Sequence, residues 1–232
     1  MERKWILYHG SQNFIRVPVY GQGNPHNDYG LGFYCTESPE LAKEWACTET
    51  NSGYANAYDF DADGLSVLNL QNGEYNILNW LAVLLENRVF RISAGIAEEG
   101  REFLLRRFLP KYRSFDVMIG YRADDSYFSF ANAFLNNTLS LRQLEKAMML
   151  GKLGEQIVLR SRKAFEKISF REAIVAEKEI YYPRKNNRDA KAREAYREER
   201  GNRRAADEIY LVDILREEWD SHDTRLRRNI SE

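Results

Sequence analysis

The chain has 232 residues, 44% of them hydrophobic and 13% aromatic, which is room for one medium domain, or a domain with an appendage, around a sizeable core. Its 34 basic residues are balanced by 35 acidic ones, so no global charge marks a nucleic-acid or membrane binder. No apolar run approaches the ~18 residues of a membrane span, the opening MERKWILYHG lacks the apolar stretch of a secretory signal, and Cys35 and Cys47 have neither metal-ligand nor disulfide-framework spacing; the expectation is a cytoplasmic protein without a metal site.

In chain order, KWILYHGS alternates and ends in small residues, which predicts a strand. Pro18, Gly21, Gly23 and Pro25 make the following stretch a loop. GLGFYCT reads as a second strand. SPELAKEWACTETN reads as a helix with Ser38 as N-cap, Pro39 at its first position, and Leu41, Ala42, Trp45 and Ala46 on one face. YANAYDFDADGLSVLNLQ predicts a β-hairpin or two short strands around Asp63-Gly64. YNILNWLAVLLENRVF has helical apolar spacing, and AEEGREFLLRRFLPKY is a second helix stopped by Pro110. FDVMIGYRADD is a buried strand running into a loop, SYFSFANAFLNN and SLRQLEKAMML are helices, and LGEQIVLRS is a short strand opened by Gly154. SRKAFEKISF turns over into another strand. From about Arg184 the chain is highly charged, as a solvated helix or a linker, and ADEIYLVDILREEWD regains an apolar face that docks back on the body. The layout is α+β without βαβ alternation, and neither GxGxxG nor GxxxxGK[ST] is present.

Three stretches carry candidate chemistry: LYHGS with His9, GLGFYCT with Tyr34, and GEQIVLRS with Glu155 and Gln156. A His before Gly is often only a turn residue, and a Tyr after Phe in a strand is usually core with its hydroxyl at the rim. A carboxylate in an apolar strand is less ordinary, because a buried carboxylate needs a partner or a task. Alternation puts Glu155 and Gln156 on opposite faces, and which one faces a site stays open.

In this order the three stretches resemble the His-Tyr-Glu signature of the ADP-ribosyltransferase fold of the poly(ADP-ribose) polymerase type. His9-Gly10-Ser11 matches its H-G-[ST] strand end, Gly30 to Tyr34 its G-x-G-[IF]-Y strand, and Glu155 to Val158 its E-x-I-V strand. Trp45 stands eleven residues after Tyr34, at the spacing of that family's second aromatic. NDYGLGFYCTESPELAKEWA, with Asp28, Thr36 and the later Asp124-Asp125, is also similar to a bacterial family of ADP-ribosyltransferase-like proteins, domain of unknown function 3990, over residues about 5 to 170.

The resemblance implies a split-sheet ADP-ribosyltransferase-like domain over residues 1–183 and a charged helical extension over 184–232. It implies NAD+ as co-substrate, cleavage of the nicotinamide–ribose bond and transfer of ADP-ribose to a macromolecular acceptor, protein or nucleic acid. His9 would hold a ribose hydroxyl, and Gly10 and Ser11 would line the nicotinamide amide. Gly32 would allow close approach to NAD+, Tyr34 and Trp45 would sandwich the nicotinamide, and Glu155, or Gln156 in its place, would stabilise the positive charge that develops at the ribose. The residues themselves leave two readings for Asp124 and Asp125: caps of the helix at Tyr127, or groups that face the acceptor. Members of the family are suspected toxins of toxin–antitoxin pairs, which implies a small antitoxin as partner. The rival expectations are a non-catalytic NAD+- or ADP-ribose-binding module, and a partner-binding protein that uses the charged segment 184–204, with its excess of Arg, toward nucleic acid or an acidic protein.

Overall fold

A computed structural model describes residues 4–89, 91–123, 125–149, 154–201 and 208–228. It is a mixed α+β structure with two sheets and nine helices among the described residues. The chain forms two compact units.

The first unit comprises Met1–Asn69, Tyr112–Arg122 and Leu153–Ala190 and holds every strand found among the described residues. Strands β1 (Lys4–Ser11), β3 (Gly53–Asp61) and β7 (Ile168–Ala176) form a three-stranded antiparallel sheet in the order β1-β3-β7. Strands β2 (Phe33–Cys35), β4 (Val67–Asn69), β5 (Val117–Tyr121) and β6 (Glu155–Leu159) form the other, in the order β2-β6-β5-β4. A bridge between Tyr8 and Thr36 joins the two sheets. Leu7, Phe33, Cys35, Tyr58, Phe60, Val117, Ile119, Ile157 and Leu159 share one apolar core. Both β5 and β6 are nearly continuous apolar runs, as strands covered on both faces must be.

Two sequence expectations are corrected here. Of the two readings for the stretch around Asp63-Gly64, the hairpin fails and two separate strands hold: β3 runs nine residues in one sheet and β4 three in the other. Gly64 turns the chain between them. The absence of βαβ alternation fails once, because β4 and β5 pair in parallel. A parallel pair needs a long crossover, and here the intervening chain includes α2 (Ile77–Asn87) and α3 (Ile96–Arg107).

Helix α1 (Pro39–Ala46) follows its sequence signals. Ser38 Oγ accepts from the Leu41 amide at 3.3 Å, and proline fills the first helical position, where no donor is lost. Helix α6 (Arg162–Glu166) starts the same way on Ser161 and leads into β7. The charged stretch after Arg184 is helical as far as Gly201: α7 spans Lys178–Gly201.

The second unit comprises Leu70–Lys111, Ala123–Lys152 and Lys191–Glu232. Its helix α2 is buried on nearly every side from Ile77 to Leu85, as a helix apolar all round should be. Asn76 caps it, accepting from the Leu78 amide, while Asn79 Oδ1 accepts from the Asn76 amide in return. Helices α4 (Asp125–Leu135) and α5 (Leu141–Met149) follow, the second opened by a reciprocal Ser140–Gln143 cap. Helices α8 (Leu211–Arg216) and α9 (Thr224–Arg228) complete the unit. Leu211 of α8 is fully buried against Gly100 of α3, and the Val212 amide donates to Asn137 Oδ1 at 2.9 Å.

Burial pushes the carboxyl of Glu145 on α5 up to about 7. A carboxylic acid whose pKa is higher folded than unfolded stabilises the fold below the unfolded value of ~4.3 and loses that contribution as pH rises through its folded value. The expected result is a urea midpoint that declines from about pH 4.3 to about 7 in wild type. In Glu145→Gln the slope over that window is reduced, because glutamine mimics the protonated acid at every pH.

Candidate functional site

The rim where the two sheets separate gathers most of the residues singled out in the sequence. Tyr8 and Thr36 exchange both backbone hydrogen bonds, at 2.8 and 3.0 Å. One residue further on, the next rung is made by a side chain: His9 Nδ1 lies 2.7 Å from the Tyr34 carbonyl. A carbonyl only accepts, so Nδ1 carries the proton in this assignment. The imidazole also stacks on Phe33, with centroids 4.3 Å apart. Burial holds its pKa below the ordinary value, against the opposing pull of the Tyr34 carbonyl. The ring is therefore neutral at physiological pH, and Nε2 is left as an acceptor.

The glycines have reasons beyond those the sequence suggested. A Cβ on Gly10 would collide with the Ala42 carbonyl of α1 and stand 2.8 Å from Trp45 Cβ. Glycine there lets β1 touch the helix, and it brings Trp45 beside the end of the His9 strand. A Cβ on Gly32 would lie 2.6 Å from Val158 Cγ1 and 2.9 Å from the Leu159 carbonyl, so the close approach is to β6. Gly30 sits at φ +75°, in a turn. Ser11 Oγ accepts from the Asn13 amide at 3.1 Å and opens the long loop to β2.

Tyr34 is half-buried and its ring orientation is set at the hydroxyl. The hydroxyl donates to the Gly30 carbonyl at 2.5 Å and accepts from the Tyr29 amide at 3.1 Å. Trp45 is also half-buried, and the Arg122 guanidinium lies over its ring at 4.4 Å.

Strand register separates the two candidates on β6. Tyr34 lies opposite Val158 and Cys35 opposite Ile157, so Tyr34, Val158 and Gln156 share one face while Phe33, Cys35, Ile157 and Glu155 share the other. Gln156 is 6% exposed, and its amide nitrogen reaches Asp28 Oδ2 at 3.4 Å. Its Oε1 is buried and has no hydrogen-bond partner among the described residues. Glu155 is half-buried at the strand start, on the face where His9 stacks on Phe33. Burial first, and the neighbouring Glu37 second, raise its carboxyl above the ordinary value. Asp125 is the first residue of α4, inside the helix it was expected to cap, whereas Asp124 lies outside the described residues.

Three contributors escaped the sequence reading. Asn56 on β3 is fully buried and binds the His9 and Asn13 carbonyls and the Ile15 amide. The signal was a polar residue inside the apolar run YANAYDF. Arg122 follows β5 directly, and nothing in its spacing points to Trp45. Arg188 on α7 grips Glu44, next to Trp45, through two bonds of 2.9 and 2.8 Å, and Glu44 is 4% exposed. Lys43 adds a bond to the Tyr181 hydroxyl at 3.1 Å. Helix α1 is thus held by β1 on one side and by the start of α7 on the other, which fixes the backbone that carries Trp45.

Among the described residues, no helix is long and apolar enough to cross a membrane. The family model described as "Protein of unknown function (DUF3990)" matches residues 5–170. Comparison with curated proteins returns no match, and comparison with solved structures returns none either.

Proposed function

The chain belongs to the DUF3990 family, and we propose that it is an NAD+-dependent ADP-ribosyltransferase whose site is the rim formed by His9, Gly10, Tyr34, Trp45 and Glu155. The observation that carries this reading is the state of His9. A neutral imidazole with Nδ1–H spent on a backbone carbonyl has one role left at Nε2, which is to accept from a hydroxyl such as that of a ribose.

The remaining residues take complementary parts. Tyr34, with its hydroxyl tied back to its own loop, offers a ring of set orientation, and Trp45 offers a second ring on α1. Each such ring contact with a nicotinamide contributes about 1 kcal/mol. Glu155 is the acidic group on the His9 face. A half-buried carboxylate there stabilises the positive charge that grows at the ribose as nicotinamide leaves, and it does so more in the transition state than in the ground state. Gln156, buried against Asp28, serves to hold the loop before β2. The domain of this activity would be residues 1–183 with a split-sheet core of the ADP-ribosyltransferase type. The acceptor would be a macromolecule, and a role as the toxin of a toxin–antitoxin pair follows only from the likeness to such proteins.

A second reading, NAD+ or ADP-ribose binding without transfer, is favoured by the pleat that sets Tyr34 and Glu155 on opposite sheet faces. One assay separates the two. Purified protein is mixed with a bacterial lysate and NAD+ labelled on its adenine side, and aliquots are treated with protease, DNase or RNase. The expected result is label in a macromolecule, lost in Glu155→Ala and retained in Gln156→Ala. NAD+ binding without label or nicotinamide release would move the assignment to the binding module, and absence of binding would end both.

A further inference from the structure

We infer that the exposed face of the loop from Gln12 to Gly32, with α6 beside it, binds a single-stranded nucleic acid, and that this strand is the macromolecule that takes the ADP-ribose; the second half rests on the transferase reading above. The loop begins after β1, whose end carries His9, and runs into β2, which carries Tyr34, so a strand lying along it reaches the proposed site. The loop's apolar side chains are open to solvent: Phe14 is 53% exposed, Val17 73%, Val19 53% and Tyr20 41%. An uncovered apolar run of this kind marks a binding surface.

Rings and charges together define the ligand. Phe14 meets Phe170 edge to face, with centroids 5.4 Å apart, and Tyr20 meets Phe165 in the same way at 5.5 Å. Phe165 in turn lies 6.1 Å from Phe33, on which His9 stacks, so a run of ring contacts joins Tyr20 to the candidate site. Arginines accompany these rings: Arg16 lies over Phe170 at 6.0 Å and Arg162 over Tyr20 at 4.6 Å. Both arginines are exposed, and among the described residues neither guanidinium has an ion pair or hydrogen bond. The local charge is positive. From Gln12 to Gly32 the one acid is Asp28, which is 5% exposed, and from Arg160 to Lys167 four cations stand against Glu166. Arginines without acidic partners attract phosphates, and exposed rings offer bases a surface to stack on. A duplex keeps its bases inside and leaves the rings unused, and an acidic protein engages the arginines alone. In the transfer, an oxygen or nitrogen of the strand bonds to the ribose carbon that bears nicotinamide. The bond from that carbon to the nicotinamide nitrogen breaks, its electron pair leaves with nicotinamide, and the proton of the attacking group passes to solvent.

The test titrates the full chain with short fluorescent single strands of mixed sequence, one of DNA and one of RNA, and with their duplexes and polyglutamate. At least one single strand should bind more tightly than its duplex and than polyglutamate. Tyr20→Ala should weaken that binding by about fivefold or more, and Tyr20→Phe by less than about twofold. Arg162→Ala should lower the slope of log affinity against log salt by about 0.7, as for one phosphate contact on a single strand, and Arg162→Lys should not. An unchanged thermal midpoint shows that each variant is folded. The strand that binds should take up label from NAD+ labelled on its adenine side. No strand binding, equal binding of duplex, or tighter binding of polyglutamate would overturn the inference, the last in favour of an acidic protein. So would unchanged affinity in Tyr20→Ala together with an unchanged slope in Arg162→Ala. Strand binding with nicotinamide release but no label in the strand would overturn its role as acceptor. Strand binding by a protein that neither binds NAD+ nor releases nicotinamide would remove the transferase reading, and the acceptor role with it, and leave the binding surface standing.

Discussion

On the proposed function, Glu155→Gln is expected to lower the rate of nicotinamide release from NAD+ by about 10²–10³-fold, while NAD+ affinity stays within about threefold. The asymmetry follows from where the charge develops. In the proposed reaction the nicotinamide–ribose bond would break with positive charge growing on the ribose, and a fixed carboxylate interacts with such a charge most strongly in the transition state. Glutamine keeps the shape and a hydrogen-bonding oxygen but removes the negative charge, so ground-state binding is largely spared. The pH profile adds a second readout. Burial, and then Glu37, raise the Glu155 carboxyl above its ordinary value, so the acid limb of the rate lies higher than for an unperturbed glutamate. Glu37→Gln should move that limb toward lower pH by removing the like charge. A Glu155→Gln protein that turns over at the wild-type rate would show that this carboxylate stabilises nothing in the reaction.

The elements were legible where local chemistry and tertiary packing agree. Ser38-Pro39 marks the start of α1, and helical apolar spacing marks α2, because caps and periodicity act within a few residues. The pairing of strands was not legible. DADG carries a turn residue that suits a hairpin, yet β3 and β4 join different sheets, because partners are chosen by packing across the whole unit. The parallel β4–β5 pair was hidden for the same reason, since its two strands are separated by two helices in sequence.

The candidate site divides in the same way. Glu155 stands out because a carboxylate in an apolar strand needs a partner or a task, whereas His9, Tyr34 and Trp45 stand out only through the order and spacing they share with the resembled family. Gly10 and Gly32 also stand out, but their spacing does not say what comes close, and the structure supplies α1 and β6. Arg122 and Arg188 could not be found by spacing, because charged residues near strand ends and on exposed helices are common. Only the fold puts one over Trp45 and the other on buried Glu44.

Asn56→Ala is expected to be the most destabilising of the single changes considered in the first unit. Asn56 is fully buried, and its side chain serves three backbone groups: it accepts from the Ile15 amide at 3.0 Å and donates to the His9 and Asn13 carbonyls at 3.3 and 3.2 Å. Alanine would leave those groups without their partner and open a small cavity. An unmet buried polar group costs roughly 1–3 kcal/mol, so the loss is on the order of 4 kcal/mol, against a typical domain stability of about 5–15 kcal/mol. Asn56→Asp should fare little better, because its carboxylate can still accept from Ile15 but turns an acceptor toward two carbonyls. Ser11→Ala, which removes an exposed bond to the Asn13 amide in the same loop, should cost less than about 1 kcal/mol. Urea unfolding of the three variants orders them, and a small loss in Asn56→Ala would mean that the loop finds other partners. Since one of the three bonds ends on the His9 carbonyl, the same side chain that stabilises the sheet also fixes the strand end from which the imidazole projects. Partial unfolding at this residue should therefore abolish NAD+ binding before the rest of the unit is lost.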